Sequence, residues 1–562
     1  MAPEKPLNND LDVEKARKQK KAEELDNSTF FDVHRWSDYP ETNKAVDALL
    51  EEFNADPKFL GRDNLKKKHI KVVILNLYVA WLIDPECYVA FYRRESEYRA
   101  KTRYNSLHIS KKTIVVVNAL LRKGYITQDI GIHSKTGEFP PRMSRMRATQ
   151  KLIDLIIDTY GITEEMVEVH PHRQSIHLRD YDEEKDKQVD IKYHDTPEIK
   201  RMRDELYAYN NLLRGTFVDI PHFPEEGVFS GKKKRAIKIN RSDKFVQRIF
   251  IWGSWDTGGR FYGGWWQRLP GMWRQRIRIN DEPVAELDYS GLHIIMLYAL
   301  EGIDYWKAIK EDPYQLGKGS EPSKRLRDLL KVILLTIINA ETPETAIKAV
   351  RWEVNKDPKE FGWVKEEGLK IEEIVEQFQE YHEKISRHFS SGFGITLQNA
   401  DSRMAELVIK EFTSRGIPIL CVHDSFVVQS QHEDLLWDEM DGAWKVIAKE
   451  MTDKLERSDS KIKKAEPVER WEEIRENGYE VSSLKMGQRE FDKLAKVYGF
   501  KKDGKGQMVR TTPDQQGDVH GEIIKDQMYL DKVSEKGDPE YKRRWAAHQE
   551  REWDEVYFKE EN

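Results

Sequence analysis

The sequence predicts a mixed α+β protein in two main parts. Three observations predict it. The first 160 residues are dominated by helical apolar periodicity. Two apolar, strand-like runs at 284–289 and 417–428 are each interrupted by one aspartate, Asp288 and Asp424. A Pro/Gly-containing stretch at 215–230 separates the regions. An aspartate in an apolar strand needs a partner, because burying an isolated carboxylate is costly. Two of them, from separate strands, could share divalent metal.

Composition bounds the answer. The chain has 562 residues, enough for two or three domains. It is 39% hydrophobic and 34% charged, which describes a soluble protein with a large hydrated surface. No apolar run approaches a membrane span, and the polar start Met1-Ala2-Pro3-Glu4-Lys5 does not resemble a signal peptide. Cys87 and Cys421 are the only cysteines, so no disulfide framework or cysteine zinc site is expected, and a reducing, cytoplasmic compartment fits. Net charge is -6, but residues 231–280 carry thirteen Lys or Arg against two Asp or Glu. Trp252, Trp255, Trp265, Trp266 and Trp273 lie in the same stretch. Basic residues interleaved with aromatics suit a nucleic-acid strand. They equally suit a solvated surface over core tryptophans.

Taken in order, residues 1–30 read as a polar arm. Val72 to Ile83 is apolar nearly all round, so it reads as a buried helix. Ser110 is placed to cap a helix over Lys111–Leu121, Gly124 stops it, and Tyr125-Ile126 begins a strand. Gly131 and Gly137 punctuate a hairpin followed by Arg142, Arg145 and Arg147, and 148–156 reads as helix. This order is similar to a winged helix-turn-helix, with Lys111 and Lys112 on a groove-reading helix and Arg145 on the wing. A small structural αβ unit is the alternative. Residues 161–230 form a charged connecting region in which Thr196 caps a helix from Pro197 to Leu213. The region 231–455 holds the chemistry, and 456–562 is charged helix and loop with none expected.

Four features of the 231–455 region occur in a fixed order. Thr257-Gly258-Gly259-Arg260 is followed by Gln267, Pro270 and Arg276. The Asp288-Tyr289-Ser290 strand end comes next. A helix over 323–340 places Leu326, Leu329, Leu330, Ile333, Leu334, Ile337 and Ile338 on one face, with Arg327 and Lys331 four apart beside it. Gln398-Asn399-Ala400-Asp401 opens a helix to Ser414 before the His423-Asp424 strand–turn–strand.

This series resembles the palm and fingers of family-A DNA polymerases and the related single-subunit RNA polymerases, over about 250–430. Asp288-Tyr289-Ser290 is similar to the opening of motif A, and Val422-His423-Asp424 to motif C. Arg327, Lys331 and Asn339 fall at the R-x3-K-x7-Y positions of motif B. The resemblance implies a right-hand palm of antiparallel sheet and helices with reduced helical fingers. It implies two Mg²⁺ or Mn²⁺ ions on Asp288, Asp424 and the Tyr289 carbonyl, and nucleoside triphosphate on Arg327, Lys331, Asn339, His293 and Tyr289. Lys331 would assist the leaving pyrophosphate. Arg260, Gln267, Gln398, Asn399 and His423 would contact a DNA template and primer. Two-metal phosphoryl transfer explains why these residue types are needed.

Departures from the family pattern fall at the sugar. His293 stands where the family has a sugar-sensing Glu, Gly291 replaces Gln, Asn339 replaces Tyr and Ser425 replaces Glu. The expected function is a template-directed nucleotidyltransferase in replication or priming of a mobile element. The alternatives are a primer-independent RNA polymerase or primase, and an inactive DNA-binding initiator.

Overall fold

The computed structural model describes residues 27–59, 61–131, 142–184, 186–221, 236–317, 322–452 and 461–465, with isolated positions besides and strand backbone at 500–502 and 508–510. Most of the polar arm, the hairpin tip with Gly137, part of the basic 231–280 stretch and most of 456–562 lie outside them, while the end of the arm, Ser28–Phe30, forms a strand. The chain forms two compact units, one from residues up to Gln174 with 238–243 and 483–562, the other from Ser175–Ile237 and 244–482. Both are mixed α and β. No described helix is long and apolar enough to cross a membrane.

The first unit sets a four-stranded sheet against helices. Its strands are β1 (Ser28–Phe30), β3 (Tyr88–Phe91), β5 (Ser144–Ala148) and β4 (Ile126–Asp129), in that order, and β2 (Arg35–Trp36) pairs separately with β6 (Glu168–Val169). Helix α1 (Pro40–Asn54) packs on α2 (Asp63–Ile83), whose middle is buried on every side as its sequence predicts. The polar residue there, Asn76, is satisfied: it donates to Val72 O and Asp32 O and accepts from Asp32 N, each at 2.8 Å. Helix α3 (Lys112–Arg122) buries Thr113, Val116, Val117, Ala119 and Leu120. The β4–β5 hairpin follows, so helix and hairpin occur as expected. The helix starts one residue later than expected, with Lys111 at the cap position, and Ser110 Oγ accepts from Lys112 N at 3.4 Å.

The second unit has two sheets. One runs β11 (Gly258–Gly263), β10 (Val246–Phe250), β7 (Ile176–Asp182), β8 (Lys187–Asp190). The other runs β14 (Ile419–Val422), β15 (Ser425–Gln429), β13 (Glu282–Tyr289), β12 (Arg278–Ile279), β9 (Val218–Asp219), and β16 (Ile462–Lys464) also pairs with β13. Helix α4 (Pro197–Gly215) is capped by Thr196, which accepts from Ile199 N at 3.3 Å. Around the second sheet lie α5 (Leu292–Leu300), α6 (Lys324–Asn339), α7 (Ile371–Tyr381), α8 (Gly394–Ser414) and α9 (Glu433–Met451). Trp265, Trp266 and Trp273 are fully buried, so these tryptophans are core. Trp266 donates to Cys421 O at 3.0 Å, tying the stretch before β12 to β14.

Candidate active site

Strand register brings the two aspartates together. β13 and β15 are antiparallel with Asp288 opposite Ser425. β14 and β15 form a hairpin whose two loop residues are His423 and Asp424. Asp424 therefore adjoins the cross-strand partner of Asp288. His423 takes φ +60°, the left-handed region that a two-residue hairpin loop favours. Burial, and then the Asp424 charge, pushes the Asp288 carboxyl up to about 7. Burial, and then Asp401, raises Asp424 in turn.

This donor set fits a hard divalent cation. Both groups supply oxygen, each resists ionisation without a counter-charge, and Asp424 accepts no hydrogen bond from another side chain among the described residues. No group of three or more His, Cys, Asp or Glu is arranged to hold a metal among those residues. Two carboxylates would leave further coordination positions to backbone and substrate oxygens, as small hard cations allow. The Tyr289 ring is buried and donates to Met440 O at 2.5 Å, fixing the end of β13 to α9.

Helix α6 starts where Ser323 accepts from Leu326 N at 3.3 Å, and it buries Leu329, Leu330, Ile333, Leu334, Ile337 and Ile338. Arg327 and Lys331 lie over the Tyr314 ring, at 4.9 and 5.7 Å from its centroid. Arg327 also donates to Asp312 at 2.8 Å. Burial and the neighbouring Arg327 hold the Lys331 ammonium below its usual range, while Asp288 acts against them. Burial raises the Tyr314 hydroxyl, with Asp424 and Asp288 adding to it. Tyr314 thus touches both cations and feels the charge of both carboxylates.

The other expected residues are placed as follows. His293 lies in the first turn of α5 with Nε2 3.0 Å from Asp401 Oδ2. Arg260 grips the same carboxylate. Gln267 is absorbed by backbone: it donates to Cys421 O and Phe261 O and accepts from Gly263 N. Asn399 donates to Trp255 O at 3.0 Å. Gln398 is half-buried, and no side-chain hydrogen bond reaches it among the described residues. His423 packs edge-on to Tyr262 with centroids 5.6 Å apart, and its buried Nδ1 has no hydrogen-bond partner among those residues. Asn339 donates to Leu335 O at 2.6 Å and sits against Gly394. In the first unit Lys111 pairs with Glu95 at 2.6 Å, Lys112 opens α3, and Arg145 donates to Leu25 O and Met143 O.

Four residues escape sequence reasoning. Asp401 carried a signal, a charge among Leu397, Ala400, Met404 and Ala405 on a helix's apolar side. Glu286 is buried two residues before Asp288, pairs with Arg274 and accepts from Ser425 Oγ at 3.0 Å. Tyr314 comes from a loop with no periodicity. Lys463 comes from the region expected to hold no chemistry. The sequence predicts helix and loop for that region, but its β16 pairs with β13, Lys463 stands opposite Asp288, and its Nζ is 3.6 Å from Asp288 Oδ2.

No family model and no curated protein matches the chain. Among solved structures, the POL domain of Pol1 from M. smegmatis, in complex with DNA primer-template and dNTP, matches at 11% identity with a TM-score of 0.24. The match covers 75% of this chain and 66% of that one.

Proposed function

We propose that the chain is a metal-dependent nucleotidyltransferase, a template-directed polymerase whose centre is the Asp288–Asp424 pair. One observation carries the reading. Asp288 near the end of β13 and Asp424 in the turn that enters its antiparallel partner β15 form a carboxylate pair, and Arg327 and Lys331 lie together over the Tyr314 ring, whose hydroxyl feels both carboxylates. A nucleoside triphosphate needs both halves of that arrangement. Its phosphates match the guanidinium and ammonium.

Asp288, Asp424 and the Tyr289 carbonyl would hold two Mg²⁺ or Mn²⁺ ions, which when bound stabilise the attacking and leaving oxygens of an in-line displacement. The chain's own groups do the rest. Arg327 and Lys331 bind and orient the triphosphate, and Lys331, with its ammonium held below the usual range, donates a proton toward the leaving pyrophosphate. Arg260, His423 and Gln398 meet the primer strand, and the α3–hairpin region of the first unit binds DNA. His293 and Asn339 stand at the sugar.

The test is primer extension on a DNA template with Mg²⁺ or Mn²⁺, offering dNTPs and NTPs separately, with and without primer. Extension is expected from wild type, and a loss of at least about 10³-fold from Asp424→Asn. No incorporation of either sugar by wild type, or an Asp424→Asn variant as active as wild type, rejects the reading.

A further inference from the structure

Asp401 is a buried carboxylate near the pair that the proposed function leaves without a role. Asp401 lies on α8 with its side chain 1% exposed. Arg260 Nε is 3.0 and 3.1 Å from its two oxygens, and Arg260 Nη2 bonds it as well. His293 Nε2 donates to Oδ2 at 3.0 Å.

The meeting of Arg260 with Asp401 is built into the fold. Gly258 and Gly259 take φ of +70° and +82°, and a Cβ on Gly259 would come within 2.9 Å of Ser402 Oγ. Only glycine lets β11 press this closely on α8. Buried Arg248 ties the same junction, donating to Gly259 O at 2.7 Å and pairing with Glu406 at 2.8 Å.

Arg260 also lies by Asp424: Tyr262, two residues along β11, packs on His423, the residue before Asp424, with centroids 5.6 Å apart, and each charge acts on the other. A guanidinium between two carboxylates pairs with the one that offers the better fork. If it took Asp424, it would fill the oxygens a cation needs. We propose that Asp401 is a positioning residue that sequesters the Arg260 guanidinium and so keeps Asp424 open to divalent metal. The inference rests on the reading of Asp288 and Asp424 as a metal-binding pair. It explains why an acidic side chain is buried one helix away from two others, where like charge alone would disfavour it. Arg260 Nη1 has no partner among the described residues, so the sequestered guanidinium keeps a donor for substrate.

The experiment is Mn²⁺ binding to the full-length protein by electron paramagnetic resonance, without nucleotide or DNA. Asp401→Asn is expected to bind Mn²⁺ at least about tenfold more weakly than wild type, the effect of losing a residue that orients a metal ligand. Asp401→Asn with Arg260→Gln is expected to recover to within about threefold of wild type, because the competing cation is gone. An Asp401→Asn variant that binds like wild type overturns the proposal, as does a double variant that stays as weak as the single one. Should Asp401→Asn not fold by circular dichroism, Arg260→Gln alone decides: binding as tight as wild type or tighter supports the proposal, and weaker binding overturns it. If wild type has no Mn²⁺ site that Asp424→Asn removes, the metal reading itself fails and takes this inference with it.

Discussion

Burial and the neighbouring Asp424 hold Asp288 toward its protonated form, about 7 against an ordinary carboxylate near 3.9. Between those values the folded protein binds more protons than the unfolded chain. Stability of the metal-free protein therefore falls as pH rises through that window, and the cost is fully present above it. The carboxyl is partly exposed, so solvent screening limits the cost to about 1 kcal/mol. Asp288→Asn is expected to melt roughly 2–4 °C higher than wild type at pH 8 in chelator, and to lose that part of the pH dependence. Calorimetry checks it, and a lower melting point would contradict the account of the pair. At Tyr314 the ring and the hydroxyl separate cleanly. Tyr314→Phe keeps the platform under Arg327 and Lys331 and should leave the nucleotide KM within about twofold, whereas Tyr314→Ala should raise it about tenfold, the worth of a cation–π pair in a half-buried site. Steady-state kinetics on the two variants tests this.

The loop 311–317 works as an element because it is pinned from behind. His382, fully buried between α7 and that loop, donates from Nε2 to Pro313 O at 2.9 Å, and its Nδ1 accepts from the Tyr298 hydroxyl at 3.1 Å. Pro313 in turn fills the space beside Gly291, where a Cβ would come within 2.5 Å of the proline ring. Burial holds the His382 imidazole down at about 4, below the usual 6.5. A histidine lowered in this way keeps its contribution above pH 6.5 and loses it as pH falls toward 4, up to about 3 kcal/mol. His382→Gln should flatten that part of the acid transition, and an unchanged profile would exclude the role. The junction of α6 with α8 gives a second test. A Cβ on Gly394 would lie 2.3 Å from Asn339 Oδ1. Alanine is otherwise the better helix former, so any loss belongs to the clash. Gly394→Ala should cost about 1–3 kcal/mol, and adding Asn339→Ala should recover most of it, by denaturant melts. These elements also show what was legible. Helix α6 and the β14–β15 hairpin follow from apolar spacing, because a buried face writes itself into the sequence at a fixed period. Tyr314 and Pro313 do not, because a loop that positions a ring by contacts with three other segments leaves no local pattern.

At the scale of the molecule, the two units divide the proposed work, and each can be tested alone in the intact chain. Lys111→Glu with Lys112→Glu is expected to weaken DNA binding several-fold and reduce the salt slope by about two, while extension at saturating DNA stays near wild type. A fluorescence titration at several salt concentrations reads both, and an unchanged slope would take DNA binding away from α3. Asp288 and Asp424 were visible in the sequence because each interrupts an apolar run, and their neighbourhood follows from the antiparallel register of β13 and β15. Lys463 was invisible, since three residues of edge strand in a charged region carry no period to read.

β16 has a consequence for how the protein is made. Residues 461–465 zip onto 286–290: Ser290 N donates to Lys461 O at 2.8 Å and Ala465 N to Glu286 O at 2.9 Å. The strand that holds Asp288 leaves the ribosome about 170 residues ahead of the one that completes its edge. Until then its backbone is an open sheet margin, able to pair with another nascent chain. A message truncated before codon 461 would yield a product with both aspartates and with Arg327 and Lys331, yet one prone to self-association. Closure of that margin therefore waits for residues 461–465 to emerge, long after both aspartates have been made.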